Sequence, residues 1–193
     1  MVTSPHFAQL GRAVYEAADR TAALLEVLRL DGDQRERVAD VLRQHGEPEL
    51  TEVCAADLAE LRGAGALLYE VFTARDVAEA ADRINDLLAG RAQVPRLTSH
   101  NGLTGWHLHV DSDDDAPWGE WFITSSCLAL AILLAERQQL PAGICASSSC
   151  GRPFVNTGRG SERRYCSTRC GTRERVAAHR DVGRTVAVGD KPA

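Results

Sequence analysis

Cys145, Cys150, Cys166 and Cys170 are four of the chain's six cysteines, and their spacing is its strongest chemical signal. Four residues separate the first two, fifteen separate the pairs, and three separate the last two. Two close thiol pairs across a loop of that length suit a structural zinc site, in which four thiolates surround Zn²⁺ tetrahedrally. Two other chemistries also use paired thiols. Disulfides persist in oxidising compartments, and a bridge between positions i and i+4 of one helix is strained. A redox centre more naturally shows C-x-x-C, which the chain lacks. No early stretch combines a basic flank, an apolar run and a small-residue cleavage site. The expected compartment is therefore the cytoplasm, where thiols stay reduced. Zinc is the favoured occupant.

Other residues of chemical interest carry weaker patterns. His107 and His109 share one face of a predicted strand, where two imidazoles could bind a metal, and a solvated face is the expected alternative. The acidic run Asp111–Asp115 lacks the spaced glycine and terminal glutamate of a calcium loop and is expected to be exposed. Cys54 and Cys127 lie among apolar residues and read as small core side chains. His179 could serve as a ligand only if a thiol were disengaged. No Ser–His–acid order, P-loop or Gly-x-Gly-x-x-Gly occurs, so no enzyme is expected.

The elements that must hold the thiols follow from local pattern. Pro153–Thr157 reads as a strand, Gly158–Gly160 as a turn and Arg163–Tyr165 as the returning strand. Ser167 can start a helix carrying Val176 and Ala177. A thiol knuckle, a hairpin and a helix whose first turn brings the second ligand pair form a treble-clef-like finger. Upstream, apolar residues recur at helical spacing over Phe7–Leu30, over a second helix capped by Asp33 and ending near Gly46, over Ala55–Thr73 and over Asp76–Ala89. Trp106–Val110 alternates like a strand and, with Pro95–Thr98, predicts a hairpin around Asn101-Gly102. A last helix spans Trp118–Gln139, and Pro141 and Gly143 mark a hinge. The longest apolar run, Cys127–Ala135, is too short to cross a bilayer, so no membrane partner is expected. The predicted fold is mainly α: a helical N-terminal domain with a small β-hairpin (1–142), a treble-clef-like zinc finger (143–182) and a tail (183–193).

With 193 residues, 44% hydrophobic and 25% charged, the composition is that of a globular protein with a real core. The net charge of −5 hides a strong asymmetry. Residues 1–144 carry 12 arginines against 23 acids, a net of −11, while residues 145–193 carry 9 arginines and Lys191 against 4 acids, a net of +6. Four thiolates on Zn²⁺ form a −2 centre, which nearby arginines and the helix N-terminus would offset, and the segment still keeps a basic surplus. Arg173 is expected to brace the finger itself. Arg163, Arg164, Arg169, Arg175 and Arg180 are candidates for phosphate contacts, since arginine's planar fork suits phosphate oxygens. A solvated basic face on a protein-docking module is the competing reading.

Cys145, Cys150-Gly151, Phe154, Arg163-Arg164-Tyr165-Cys166-Ser167 and Cys170-Gly171-Thr172-Arg173, followed by a basic helix, resemble a CGNR-type zinc finger. The name-giving Cys-Gly-Asn-Arg is Cys-Gly-Thr-Arg here. Upstream, Ala56–Arg62, Ile84–Leu88 and Gly105-Trp106 look like the second half of an ABATE domain. The resemblance is to bacterial proteins that join the two and are regarded as stress-response transcription regulators. It implies a regulator that contacts DNA, and the accompanying expectation is that the finger makes the contact while the helical domain senses a small-molecule effector or forms a homodimer. The alternative is a non-enzymatic interaction protein whose finger is structural or docks on protein.

Overall fold

The computed structural model describes residues 5–47, 52–157 and 162–188, with side chains for 13–47, 52–157 and 162–180. The elements in chain order are α1 (Pro5–Leu28), α2 (Arg35–Gln44), α3 (Ala55–Phe72), α4 (Val77–Ala89), β1 (Arg96–Thr98), β2 (His107–His109), α5 (Trp118–Arg137), β3 (Ala142–Ile144), β4 (Pro153–Val155) and α6 (Thr168–Val188). The protein is mainly α, with two small antiparallel hairpins, β1–β2 and β3–β4. The expected turn at Gly158–Gly160 lies outside the described residues. The backbone of residues 183–188 continues α6.

α5 is the centre of the helical part, packed on α1, α3 and α4. It is apolar on most of its circumference, because neighbours cover several of its faces. Phe122, Ile123, Leu130 and Leu133 are buried there against Leu24, Leu61, Leu68, Phe72 and Ile84. Each fully buried side chain of this size contributes about 1.5–3 kcal/mol of transfer free energy. By length and composition α5 could cross a membrane. In the fold it is the core helix, and Thr124 and Ser126 are buried on it too. Ser126 Oγ accepts from Thr21 Oγ1 at 2.8 Å.

Local signals set the starts of α3 and α4. Asp76 caps α4 by accepting from Glu79 N at 2.9 Å. Cys54 caps α3, where Asp57 Oδ2 accepts from Cys54 N at 2.8 Å and Asp57 N reaches Cys54 Sγ at 3.5 Å. Cys54 is therefore an exposed helix cap and not a core side chain. Cys127 is fully buried, as expected. The cap of α2 is Gln34. Asp33, the expected cap, instead accepts from Arg35 N at 3.0 Å and holds the Arg35 guanidinium at 2.6 Å.

The C-terminal hairpin differs from expectation in its partner. Pro153–Val155 pairs with Ala142–Ile144 in the register Ala142↔Val155, Gly143↔Phe154 and Ile144↔Pro153. The chain reverses directly through the thiol knuckle at 145–152, so the supposed hinge is a strand. Residues 164–167 form bends rather than a returning strand. They bend because Cys166 must reach the other thiols, and one backbone bond, Ala146 N to Arg164 O at 2.8 Å, ties them to the knuckle.

Candidate metal centre

The β3–β4 turn supplies Cys145 and Cys150, and the start of α6 supplies Cys166 and Cys170. The backbone makes this convergence possible at two glycines. Gly151 closes the knuckle at φ +59°, a conformation that side-chain-bearing residues rarely adopt. Gly171 lies under the Tyr165 ring, where an added Cβ would sit 3.2 Å from Cδ2. Ser167 Oγ accepts from Cys170 N at 3.3 Å and caps α6. Glu174, one turn later, accepts from Ser147 Oγ at 2.8 Å and from Ser148 N at 3.2 Å, which pins the knuckle to the helix.

The four sulfurs lie within 4.8 Å of one another. Cys150 Sγ and Cys166 Sγ are 3.7 Å apart, as are Cys166 Sγ and Cys170 Sγ. A tetrahedron with Zn–S bonds of about 2.3 Å has an edge of about 3.8 Å. The thiols are all free of disulfides. The donor set, its spacing and its geometry fit Zn²⁺, held by Cys145, Cys150, Cys166 and Cys170.

The electrostatics favour a cation as well. A hydrogen bond with Ser167, together with contacts to Cys166 and the Arg173 guanidinium, lowers the Cys170 thiol to about 6. Burial and bonds to the other three thiols push Cys166 up to about 12. A divalent ion relieves this competition by stabilising all four thiolates. Arg173 Nη2 donates to Cys170 Sγ at 3.1 Å, so it braces the metal centre as its position suggested. His179 is exposed and outside the cluster.

The finger is anchored to the helical part through its hairpin. Val155 and Ala142 belong to the main core, whereas Phe154, Cys145 and Cys170 form a second, smaller one. Arg152 Nε pairs with Glu26 Oε1 at 2.8 Å, and Arg29 donates to Gly151 O. Arg137 Nη2 donates to Thr157 O at 2.9 Å.

The candidate phosphate-contacting arginines divide into two kinds. Arg163 donates to Val155 O and lies over the Phe154 ring at 5.3 Å, so its guanidinium already serves the finger. Arg164 stands 5.9 Å over Tyr165. Arg175 bonds within its own helix, to Gly171 O at 3.4 Å and Thr172 Oγ1 at 3.2 Å. Arg164, Arg169, Arg175 and Arg180 are exposed, and among the described side chains none pairs with a carboxylate. α6 makes no extended packing with any of α1–α5 among the described residues.

The model of the ABATE family, described as "putative stress-induced transcription regulator", matches residues 8–137, and that of the CGNR zinc finger matches residues 142–181. The chain belongs to the ABATE family. No curated protein matches it. The ABATE match takes in α1, well upstream of Ala56–Arg62, and the zinc-finger match contains all four of Cys145, Cys150, Cys166 and Cys170. The threonine in place of asparagine in the name-giving motif is Thr172, whose hydroxyl accepts from Arg175 on the helix surface.

The β1–β2 hairpin also departs from expectation. Register places Thr98↔His107, Leu97↔Leu108 and Arg96↔His109. Leu97, Leu108 and Trp106 face outward, with Trp106 74% exposed, while His107 and His109 are half-buried rather than a solvated face. Ion pairs cause the inversion. Arg96 binds Asp111 at 2.8 Å and Asp114 at 2.5 Å, and Asp111 is buried rather than part of an exposed loop. The sequence pattern paired the histidines with solvent because it could not show this acidic anchor.

Proposed function

We propose that this ABATE protein regulates transcription in the cytoplasm by gripping duplex DNA with α6 of its zinc finger, and that its helical part senses an effector or forms a homodimer. One observation carries the reading. The zinc-anchored finger presents Arg164, just before α6, and Arg169, Arg175 and Arg180 on α6 to solvent, without neutralising carboxylates among the described side chains. The acidic helical part is the natural competitor for such a helix, yet its contacts with the finger run through Glu26, Arg29 and the β3–β4 hairpin. The basic helix is left available. Two modules sharing a twofold axis would extend the contact, since one small module buries only about 600–1,000 Å² on DNA. The outward Leu97, Leu108 and Trp106 offer a surface that a second copy could cover, and light scattering with and without DNA reads that state.

A second reading has its own support. The finger's hairpin contributes Val155 and Ala142 to the main core, which is what a structural module would do. The two readings separate in one binding experiment. Zinc-loaded protein is titrated into labelled random duplex, and Arg169→Ala and Arg180→Ala should each weaken binding on every sequence while leaving zinc content unchanged. Equal affinity of both variants and wild type would favour the structural module.

A further inference from the structure

A second group of metal-ligating side chains lies on the inner face of the β1–β2 hairpin, away from the cysteines. His107 and His109 are two residues apart on β2 and so share a face. His100 joins them from the connecting turn, where His100, Asn101 and Gly102 all take positive φ (45°, 56° and 87°). Donor atoms of the three rings lie within 4.8 Å of one another. His107 Nε2 is 3.2 Å from His100 Nε2 and 3.0 Å from His109 Nε2. The ring planes are tilted by 34°, 73° and 63°, so the rings meet by their edges and do not stack.

The outer nitrogens fix the tautomers. His107 Nδ1 is 2.7 Å from Gly105 O, and a carbonyl oxygen can only accept, so Nδ1 carries the hydrogen. His109 Nδ1 is 2.9 Å from both carboxylate oxygens of Asp111, which demands the same. Neutral rings in these tautomers aim two Nε2 lone pairs at each other across 3.0 Å. That arrangement is repulsive unless a cation lies between them. His100 completes the pattern, with Nδ1 3.6 Å from Asp114 Oδ2. A metal-bound histidine commonly directs its other ring nitrogen to a carboxylate or carbonyl in this way. With metal–nitrogen bonds of about 2.1 Å, the nitrogen–nitrogen edge is about 3.4 Å in a tetrahedron and about 3.0 Å in an octahedron.

We propose that His100, His107 and His109 bind one divalent first-row transition-metal ion through their Nε2 atoms, at a site separate from the four-cysteine zinc centre. Three imidazoles suit Zn²⁺, Cu²⁺, Ni²⁺ or Co²⁺ and discriminate against Ca²⁺ and Mg²⁺, which prefer oxygen. Three protein ligands leave the rest of the coordination sphere to water or a small ligand. Asp111 and Asp114 supply negative charge behind two of the rings, and Arg96 holds both carboxylates in place.

Full-length protein with its cysteine centre filled is dialysed against micromolar free Zn²⁺, and bound metal is counted per chain. Two equivalents are expected for wild type and one for His100→Ala, His107→Ala and His109→Ala. His100 sits in the turn, outside the paired strands, so His100→Ala tests the site even if His109→Ala disturbs the hairpin. Circular dichroism checks that each variant keeps its helices. One equivalent in wild type would overturn the proposal and leave a shared proton to explain the lone-pair contact. Two equivalents retained in His100→Ala and His107→Ala would overturn it as well, because the second ion would then lie elsewhere.

Discussion

Val155→Ala tests whether the finger and the helical part are one cooperative body. Val155 lies on β4, in the zinc-finger segment, yet it is only 3% exposed and packs in the main core with Ala142 and α1. The substitution removes two buried carbons, worth about 1.6 kcal/mol at about 0.8 kcal/mol each. The unfilled space adds to this, giving about 2–3 kcal/mol in all. For a chain of this size each kcal/mol lowers the melting temperature by about 2–4 °C, so a fall of about 4–12 °C is expected. The assay is thermal unfolding of zinc-loaded protein, followed by far-ultraviolet circular dichroism, whose signal is dominated by the helical part. A helical transition that stays within about 1 °C of wild type would refute the reasoning, because the hairpin would then contribute nothing to the main core.

Other outcomes follow from the same contacts. Removing zinc with a strong chelator should loosen the knuckle and α6 while hydrogen exchange of α3 and α5 stays slow, since only the smaller core depends on the cage. Arg173→Ala should weaken zinc about tenfold in a competition with a chromophoric chelator, because Arg173 donates to a ligand sulfur; the exposed side chain places the effect at the low end of the usual range. Unchanged affinity would remove Arg173 from the scaffold. Burial pushes the Cys127 thiol up to about 12, so in folded, zinc-loaded protein at pH 8 iodoacetamide should label Cys54 and spare Cys127. In the metal-free hairpin, burial raises the Asp111 carboxyl, but hydrogen bonds from His109 and Arg96 outweigh it and leave it below its ordinary value. Its contribution should therefore be present above about pH 4, the unfolded carboxylate value, and be lost as pH falls further, as amide exchange in β1–β2 would register.

The sequence exposed the helices and the four thiols because both are local patterns. Apolar spacing along α3, α4 and α5 and the interval between cysteine pairs need no knowledge of distant residues. What it hid was partnership. Pro153–Val155 is strand-like in either pairing, and only the knuckle's reversal selects Ala142–Ile144 over 163–165. Arg163 looked like its neighbour Arg164, yet one lies over Phe154 and bonds to Val155 O. Arg20 is buried, pairs with Glu47 and lies 4.5 Å over Trp121, contacts that join residues far apart in the chain. His100 escaped notice because a turn residue has no periodicity, although His107 and His109 at i and i+2 were a usable signal for the site it completes.

The central claim is that a zinc-anchored finger, through α6 and the bend before it, holds DNA phosphates. Its most direct measurement is the salt dependence of duplex binding by zinc-loaded, wild-type protein. If Arg164, Arg169, Arg175 and Arg180 each neutralise one phosphate, the logarithm of affinity should fall against the logarithm of salt with a slope of about −3 to −4 per finger. Absence of binding at low salt, or a slope near zero, would contradict the account and leave the finger as a structural module.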